Sequence, residues 1–183
     1  MTRGRCILIG GGARSGKSSF ALVRARELGA RRVFLATAEA LDGEMRARVA
    51  AHRSARGDDF ATVEEPLELA HALRSIGHSA DVVVVDCLTL WLANLLVRGE
   101  EQGAVLARVD ELATTVAASP FASVLVTNEV GMGIVPENAL ARAFRDVAGL
   151  AHQRLARDAD EIHLAALGVL LRLRPAPVEV RTP

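Results

Sequence analysis

Gly11-Gly12-Ala13-Arg14-Ser15-Gly16-Lys17-Ser18, preceded by the apolar run Cys6-Ile7-Leu8-Ile9-Gly10, decides how the rest of the chain is read. The octet satisfies the spacing G-x-x-x-x-G-K-[ST]. It also stands where that spacing has a mechanism, after a predicted strand and before a predicted helix carrying Phe20, Val23 and Leu28 on one face. Glycines let successive backbone N–H groups turn inward around phosphate oxygens, and the helix N-terminus adds positive potential. Lys17 then reaches the terminal phosphates and Ser18 offers a hydroxyl to Mg²⁺. Lys17 is the only lysine in a chain whose other basic residues are all arginine. A compact point charge suits this position better than a planar guanidinium.

Outward from the loop, short apolar runs alternate with helical patterns. Val33–Ala36 reads as a second strand, and Asp42 as the N-cap of a helix from Gly43 to about Arg56, where Glu44 and Arg48 pair at i, i+4. Pro66 opens a helix through Ser75. The unbroken Val82–Val85 run reads as a central strand of a parallel sheet, ending at Asp86. Helices over Leu88–Val97 and Ala104–Ala118 follow, then a strand at Ser123–Thr127, a loop at Asn128–Asn138 and a helix at Ala139–Arg157. Strands near Glu161–Ala165 and Val169–Leu173 complete one domain over residues 1–173. A Pro-punctuated tail from Arg174 to Pro183 is expected to be poorly ordered. The pattern is α/β, a mostly parallel sheet with helices on both faces and a ligand site beyond the carboxyl ends of its strands.

Composition narrows the function classes. Lys+Arg 22 balances Asp+Glu 22 for a net charge of +0, so no global basic field draws in nucleic acid or an anionic membrane. With aromatics at 3%, few side chains are available to stack on bases, and nucleic acid is not an expected partner. The apolar stretches fall short of the roughly 18 residues that span a bilayer. Cys6 and Cys87 lack ligand or disulfide spacing, which fits a reducing, cytoplasmic setting.

Asp86, closing the valine strand, is placed as the Walker-B acid that holds Mg²⁺. Cys87 beside it reads as a small apolar filler. His52 admits two readings: a half-buried histidine sharing a helix face with Met45 and Val49, or a nucleophile whose neutral imidazole attacks phosphorus, with Arg53 and Arg56 close by to hold phosphates. His71, His78, His152 and His163 show no ligand spacing and read as structural. The Asn128–Asn138 loop would suit a substrate-facing role or a plain connection, and Thr37 either reaches a base or ribose or caps a turn.

Together the P-loop octet, the segment Ala36-Thr-Ala-Glu-Ala-Leu-Asp-Gly-Glu-Met-Arg-Ala-Arg-Val-Ala-Ala-His52-Arg and Thr127-Asn-Glu-Val-Gly-Met-Gly-Ile-Val-Pro-Glu-Asn138 with Leu140–Asp146 resemble the bifunctional adenosylcobinamide kinase / adenosylcobinamide-phosphate guanylyltransferases of cobalamin biosynthesis. The resemblance runs from about Cys6 to Leu173. It implies a P-loop NTPase of RecA-like fold, assembled as a homotrimer, that phosphorylates adenosylcobinamide with ATP or GTP. The enzyme then transfers GMP from GTP to adenosylcobinamide phosphate through a guanylylated histidine. By the resemblance His52 is that nucleophile and Lys17 its catalytic companion. Nucleotide contacts fall on Gly10, Gly11, Gly12, Ala13, Arg14, Ser15, Gly16, Lys17 and Ser18, on Ala36, Thr37 and Ala38, on Arg53, Ser54, Ala55 and Arg56, on Glu64 and on Asp86; Ser18 and Asp86 also hold Mg²⁺. A P-loop kinase of single activity and a non-catalytic nucleotide-binding module are the rival classes.

Overall fold

The computed structural model describes residues 3–39, 43 and 57–181. The expected helix over 43–56, apart from Gly43, lies outside these residues, and so do Asp42, His52, Arg53, Ser54, Ala55 and Arg56. Described elements are, in chain order, β1 (Cys6–Gly11), α1 (Lys17–Leu28), β2 (Arg32–Ala36), β3 (Ala61–Glu64), α2 (Leu69–Ile76), β4 (Val82–Asp86), α3 (Leu88–Val97), α4 (Gln102–Ala118), β5 (Ala122–Val126), α5 (Ala139–Asp158), β6 (Glu161–Ala166), β7 (Val169–Arg174) and β8 (Glu179–Arg181). The strands form one sheet in the order β3-β2-β4-β5-β1-β6-β7-β8. β3 through β6 in that order run parallel, and β7 and β8 add antiparallel at one edge.

The valine strand shows why the sheet is double-faced. Val82 and Val84 join Ile7, Ile9, Val124 and Val126 in a core with Ala21, Leu22 and Ala25 of α1. Val83 and Val85 face the other way, packing with Leu8, Leu35 and Leu125 and with apolar residues of α2 through α5. All four valines are 0% exposed, so alternation places each in one of two dry cores. Burying each such side chain is worth roughly 1.5–3 kcal/mol.

Three local expectations are corrected. The tail is not a loose end: β7 extends to Arg174, and β8 pairs with it through Leu171↔Val180. Pro66 does not open a helix, because the Glu65 carboxylate accepts from the amides of Leu67 and Glu68 (both 2.9 Å) and shapes a turn, so α2 begins at Leu69. β3 is an additional edge strand pairing with β2 along Val33↔Ala61 to Ala36↔Glu64. Its largely exposed Ala-Thr-Val-Glu has no apolar run to announce it.

At the amino end of β4, Asp81 ties the α1–β2 turn to the sheet. Its Oδ2 accepts from the amides of Ala30 (3.1 Å) and Arg31 (2.9 Å), and its Oδ1 from the Arg31 guanidinium (2.6 and 2.9 Å). These bonds hold the Asp81 carboxyl at about 2, against an ordinary 3.8. A depressed folded-state pKa stabilises the fold above the unfolded value, and that contribution disappears as pH falls through the folded value. Acid unfolding followed by circular dichroism is therefore expected to show a component between pH ~4 and ~2 that Asp81→Asn removes. An identical acid profile in the variant would refute this.

Candidate active site

The register sets one row of strand ends. Glu64, Ala36, Asp86, Val126 and Ile9 are successive partners across β3, β2, β4, β5 and β1, so every strand end that carries a candidate residue opens on the same edge of the sheet. β1 runs directly into the phosphate loop. Gly11 is pressed against β6: a Cβ there would sit 2.5 Å from the Ala165 carbonyl oxygen and 2.7 Å from Ser15 Oγ. Gly16 closes the loop with φ +89°, in the left-handed region glycine adopts at no steric cost, and Phe20 N donates to its carbonyl to start α1. Arg14 also takes a positive φ, 56°.

Lys17 is only 8% exposed, and its Nζ donates to Gly12 O at 3.0 Å, so the ammonium already lies across the loop it serves. Ser15 Oγ is buried and has no hydrogen-bond partner among the described residues. A buried hydroxyl left in that condition costs about 1–3 kcal/mol. An anionic oxygen held in the loop would satisfy it. Asp86 stands at the end of β4, two strands from β1, with Ser18 on the first turn of α1. Among the described residues there is no cluster of three or more His, Cys, Asp or Glu able to hold a metal. One hydroxyl and one carboxylate are the sparse, hard-oxygen set that Mg²⁺ takes when phosphates and water complete its shell.

Cys87 is buried, as a small apolar residue would be, and does more than fill space. Its Sγ lies 3.1 Å from Thr89 Oγ1, and Asn128 Nδ2 donates to it at 3.7 Å. Burial pushes its thiol pKa up, as does the neighbouring Asp86, while Lys17 is among the groups opposing the rise. Both charges thus act at this point of the site. Burial likewise raises Cys6, to about 11, so neither described thiol is a nucleophile at neutral pH.

Thr37 is the one candidate whose side chain the structure takes away from the nucleotide. It is 0% exposed; its Oγ1 donates to Cys87 O and accepts from Cys87 N, both at 2.8 Å, and its carbonyl accepts from Asn94 Nδ2 at 2.9 Å. Instead of reaching a base or ribose, Thr37 pins the end of β2 to the end of β4. Ala36 and Ala38 flank it on the same edge. Glu65 is spent on its turn, which leaves exposed Glu64 as the free carboxylate of that acidic pair, four strand spacings or about 19 Å from β1.

Other polar groups at this edge were not singled out in the sequence. Asn128 Nδ2 donates to Thr89 Oγ1 at 2.7 Å, fixing the root of the 128–138 loop to α3. Glu129 N donates to Gly11 O at 3.0 Å, so the loop's second residue lies beside the first glycine of the phosphate loop. His152 Nε2 is 2.7 Å from Thr127 Oγ1, and its Nδ1 is 3.8 Å from Glu129 Oε2. Burial pushes the His152 pKa down against the opposing pull of Glu129. These residues lie up to 25 positions apart, and only their identity as polar residues near a strand end could have marked them. His163, buried and 3.0 Å from Glu161, belongs to a pairing with Arg24 at the opposite end of the strands.

Residues 7–173 match the CobU family, cobinamide kinase / cobinamide phosphate guanyltransferase. This chain belongs to that family. Among curated relatives, the bifunctional adenosylcobalamin biosynthesis protein CobP of Pseudomonas aeruginosa is 42% identical over 177 residues, covering 93% of this chain and 98% of the relative. The bifunctional adenosylcobalamin biosynthesis proteins CobU of Escherichia coli and Salmonella typhimurium are 38% and 39% identical, each covering 92% of this chain and 99% of the relative. Similar solved folds include the ATPase domain of a helicase, with a TM-score of 0.55 at 13% identity, covering 98% of this chain and 81% of that one. The RadB recombinase gives 0.53 at 15% identity, covering 97% and 86%. At such identities the likeness is one of architecture, and it places this CobU-family chain on the P-loop NTPase α/β fold. Among the described residues, no helix is long and apolar enough to cross a membrane.

Proposed function

We propose that this protein phosphorylates the hydroxyl of adenosylcobinamide with ATP or GTP, then transfers GMP from GTP to the adenosylcobinamide phosphate, releasing pyrophosphate and forming adenosylcobinamide-GDP. The match over residues 7–173, which contains an assembled phosphate loop and Asp86 on the facing strand, carries this reading. Both reactions are in-line displacements at phosphorus, in which a protein mainly positions reactants and neutralises charge.

The amides from Gly10 to Ser18 cradle the triphosphate, and Lys17 meets the charge that develops on its terminal oxygens. Ser18 and Asp86 would hold Mg²⁺, which supplies further charge neutralisation when bound. Ala36, Ala38 and Glu64 extend the site along the sheet edge toward the nucleoside, with Thr37 positioning them. His52 is the nucleophile that takes GMP, with Arg53, Ser54, Ala55 and Arg56 contacting the nucleotide presented to it. A histidine divides nucleotidyl transfer into two easier displacements, since imidazole both attacks and leaves phosphorus readily. Residues 1–173 act as a single domain, which β8 extends, and the assembly is a homotrimer working in the cytoplasm. Two free, buried cysteines suit that reducing setting.

The test is intact mass and acid lability after incubation with Mg²⁺ and α-phosphate-labelled GTP, run beside His52→Ala. The expected result is one GMP adduct that is acid-labile, alkali-stable and missing from the variant. No adduct on protein that binds GTP and phosphorylates adenosylcobinamide would replace this proposal with a P-loop kinase of single activity.

A further inference from the structure

We propose that Glu129 is the general base of the phosphorylation half-reaction, an inference that rests on the two-step function above. The two acceptors differ in one chemical respect. An alcohol must lose a proton as it attacks, whereas a phosphate monoester, with a second pKa near ~6, already presents ionised oxygens at neutral pH. The enzyme thus needs a base beside the γ-phosphate in its first reaction and none in its second.

Carboxylates on the site edge can be compared. Glu39 is paired with Arg98 at 2.7 Å, and that hydrogen bond lowers its pKa, making it a poor proton acceptor. Glu65 accepts two amides in its own turn. Glu64 lies on the outermost strand, about 19 Å from the phosphate loop. Asp86 is the carboxylate assigned to the metal. Glu129 is seated just past the strand next to β1, its amide bonded to Gly11 O at 3.0 Å.

The surroundings of Glu129 suit proton transfer. Its Oε1 accepts from Gly131 N at 2.6 Å, and its Oε2 faces His152 Nδ1 at 3.8 Å; the side chain is 29% exposed. Among the described residues no arginine is bonded to its carboxylate, and the nearby Arg145 is directed to the Gly131 carbonyl at 2.7 Å. Buried His152 stays neutral and adds no fixed positive charge. Asn128 and Thr127 are anchored to α3 and α5, so the base stands on a fixed root. Further along the same loop, Met132 and Ile134 are 82% and 96% exposed, an apolar surface for an acceptor arriving beside the base.

In the step, the acceptor oxygen forms a bond to the γ-phosphorus while the bond from γ-phosphorus to the β,γ-bridging oxygen breaks. The electron pair of that bond leaves with the nucleoside diphosphate. The hydroxyl proton passes to the Glu129 carboxylate and from there to water.

Glu129→Gln keeps the acceptor for Gly131 N but cannot take a proton, and Glu129→Asp keeps the carboxylate on a shorter stem. Both are measured beside wild type in two separate assays: phosphorylation of adenosylcobinamide, and labelling of the enzyme by α-phosphate-labelled GTP. The expected result is a kcat for phosphorylation about 10²-fold or more lower in Glu129→Gln, intermediate in Glu129→Asp, matching the usual worth of a positioned base. GMP labelling in both should stay within about threefold of wild type. Phosphorylation by Glu129→Gln equal to or above that of Glu129→Asp would overturn the proposal, as would equal loss in both assays. Wild-type protein that forms neither product would instead overturn the two-step function.

Discussion

Lys17→Met is expected to lower kcat/KM for nucleotide-dependent phosphorylation by about 10²–10³-fold, the range seen when one preorganised donor to developing charge is removed. The ammonium is 8% exposed and bonded to Gly12 O at 3.0 Å, so its orientation is set before nucleotide arrives. Methionine keeps the unbranched stem and loses the charge and its hydrogen bonding, so thermal melting should stay close to wild type. Lys17→Arg should not restore activity. A guanidinium is larger and planar, and the buried position of Lys17 leaves it little open space into which to swing. GMP labelling should fall with phosphorylation, since both steps draw on the same triphosphate. Steady-state kinetics and labelling of the three proteins check this, and near-wild-type turnover in Lys17→Met would sink it.

The phosphate loop was legible because everything it needs is local. Eight contiguous residues encode the glycine torsions, the lysine and the helix start, and no distant contact has to be guessed. The same holds for Val82–Val85, whose composition reports burial on both faces. β3 and β8 were not legible: their cause is the unpaired edge of β2 and of β7, a property of the assembled sheet. Thr37 shows the limit within the site itself. Its position at a strand end was readable, whereas the direction of its hydroxyl follows from β2 lying beside β4 in the register Ala36↔Asp86, which brings the Cys87 backbone within 2.8 Å. Glu129 and His152 are a similar case, joined across the end of β5 by the packing of α5. The chemistry of the edge was thus written in the motifs, and its division of labour in the pairing.

Trp91→Ala is expected to destabilise the fold by about 3–5 kcal/mol, the usual cost of truncating a buried aromatic side chain. Trp91 is 2% exposed within the core formed by α2 through α5, and its Nε1 donates to Leu67 O at 2.8 Å. One turn later on α3, Asn94 Nδ2 donates to the carbonyls of Thr37 and Pro66. Together they clamp the 66–67 turn and the end of β2 onto α3, whose first turn carries the Thr89 that holds Asn128. Against a total stability of about 5–15 kcal/mol, the loss removes a large share. Guanidinium unfolding should be followed by far-ultraviolet circular dichroism, because the variant deletes the protein's single tryptophan. Trp91→Phe separates the two contributions: it fills most of the space and leaves the Leu67 carbonyl without its donor, so a smaller loss of about 1–2 kcal/mol is expected. If phenylalanine and alanine gave the same midpoint, the hydrogen bond would carry the effect. If neither shifted it, α3 would not be the clamp that aligns this edge of the sheet.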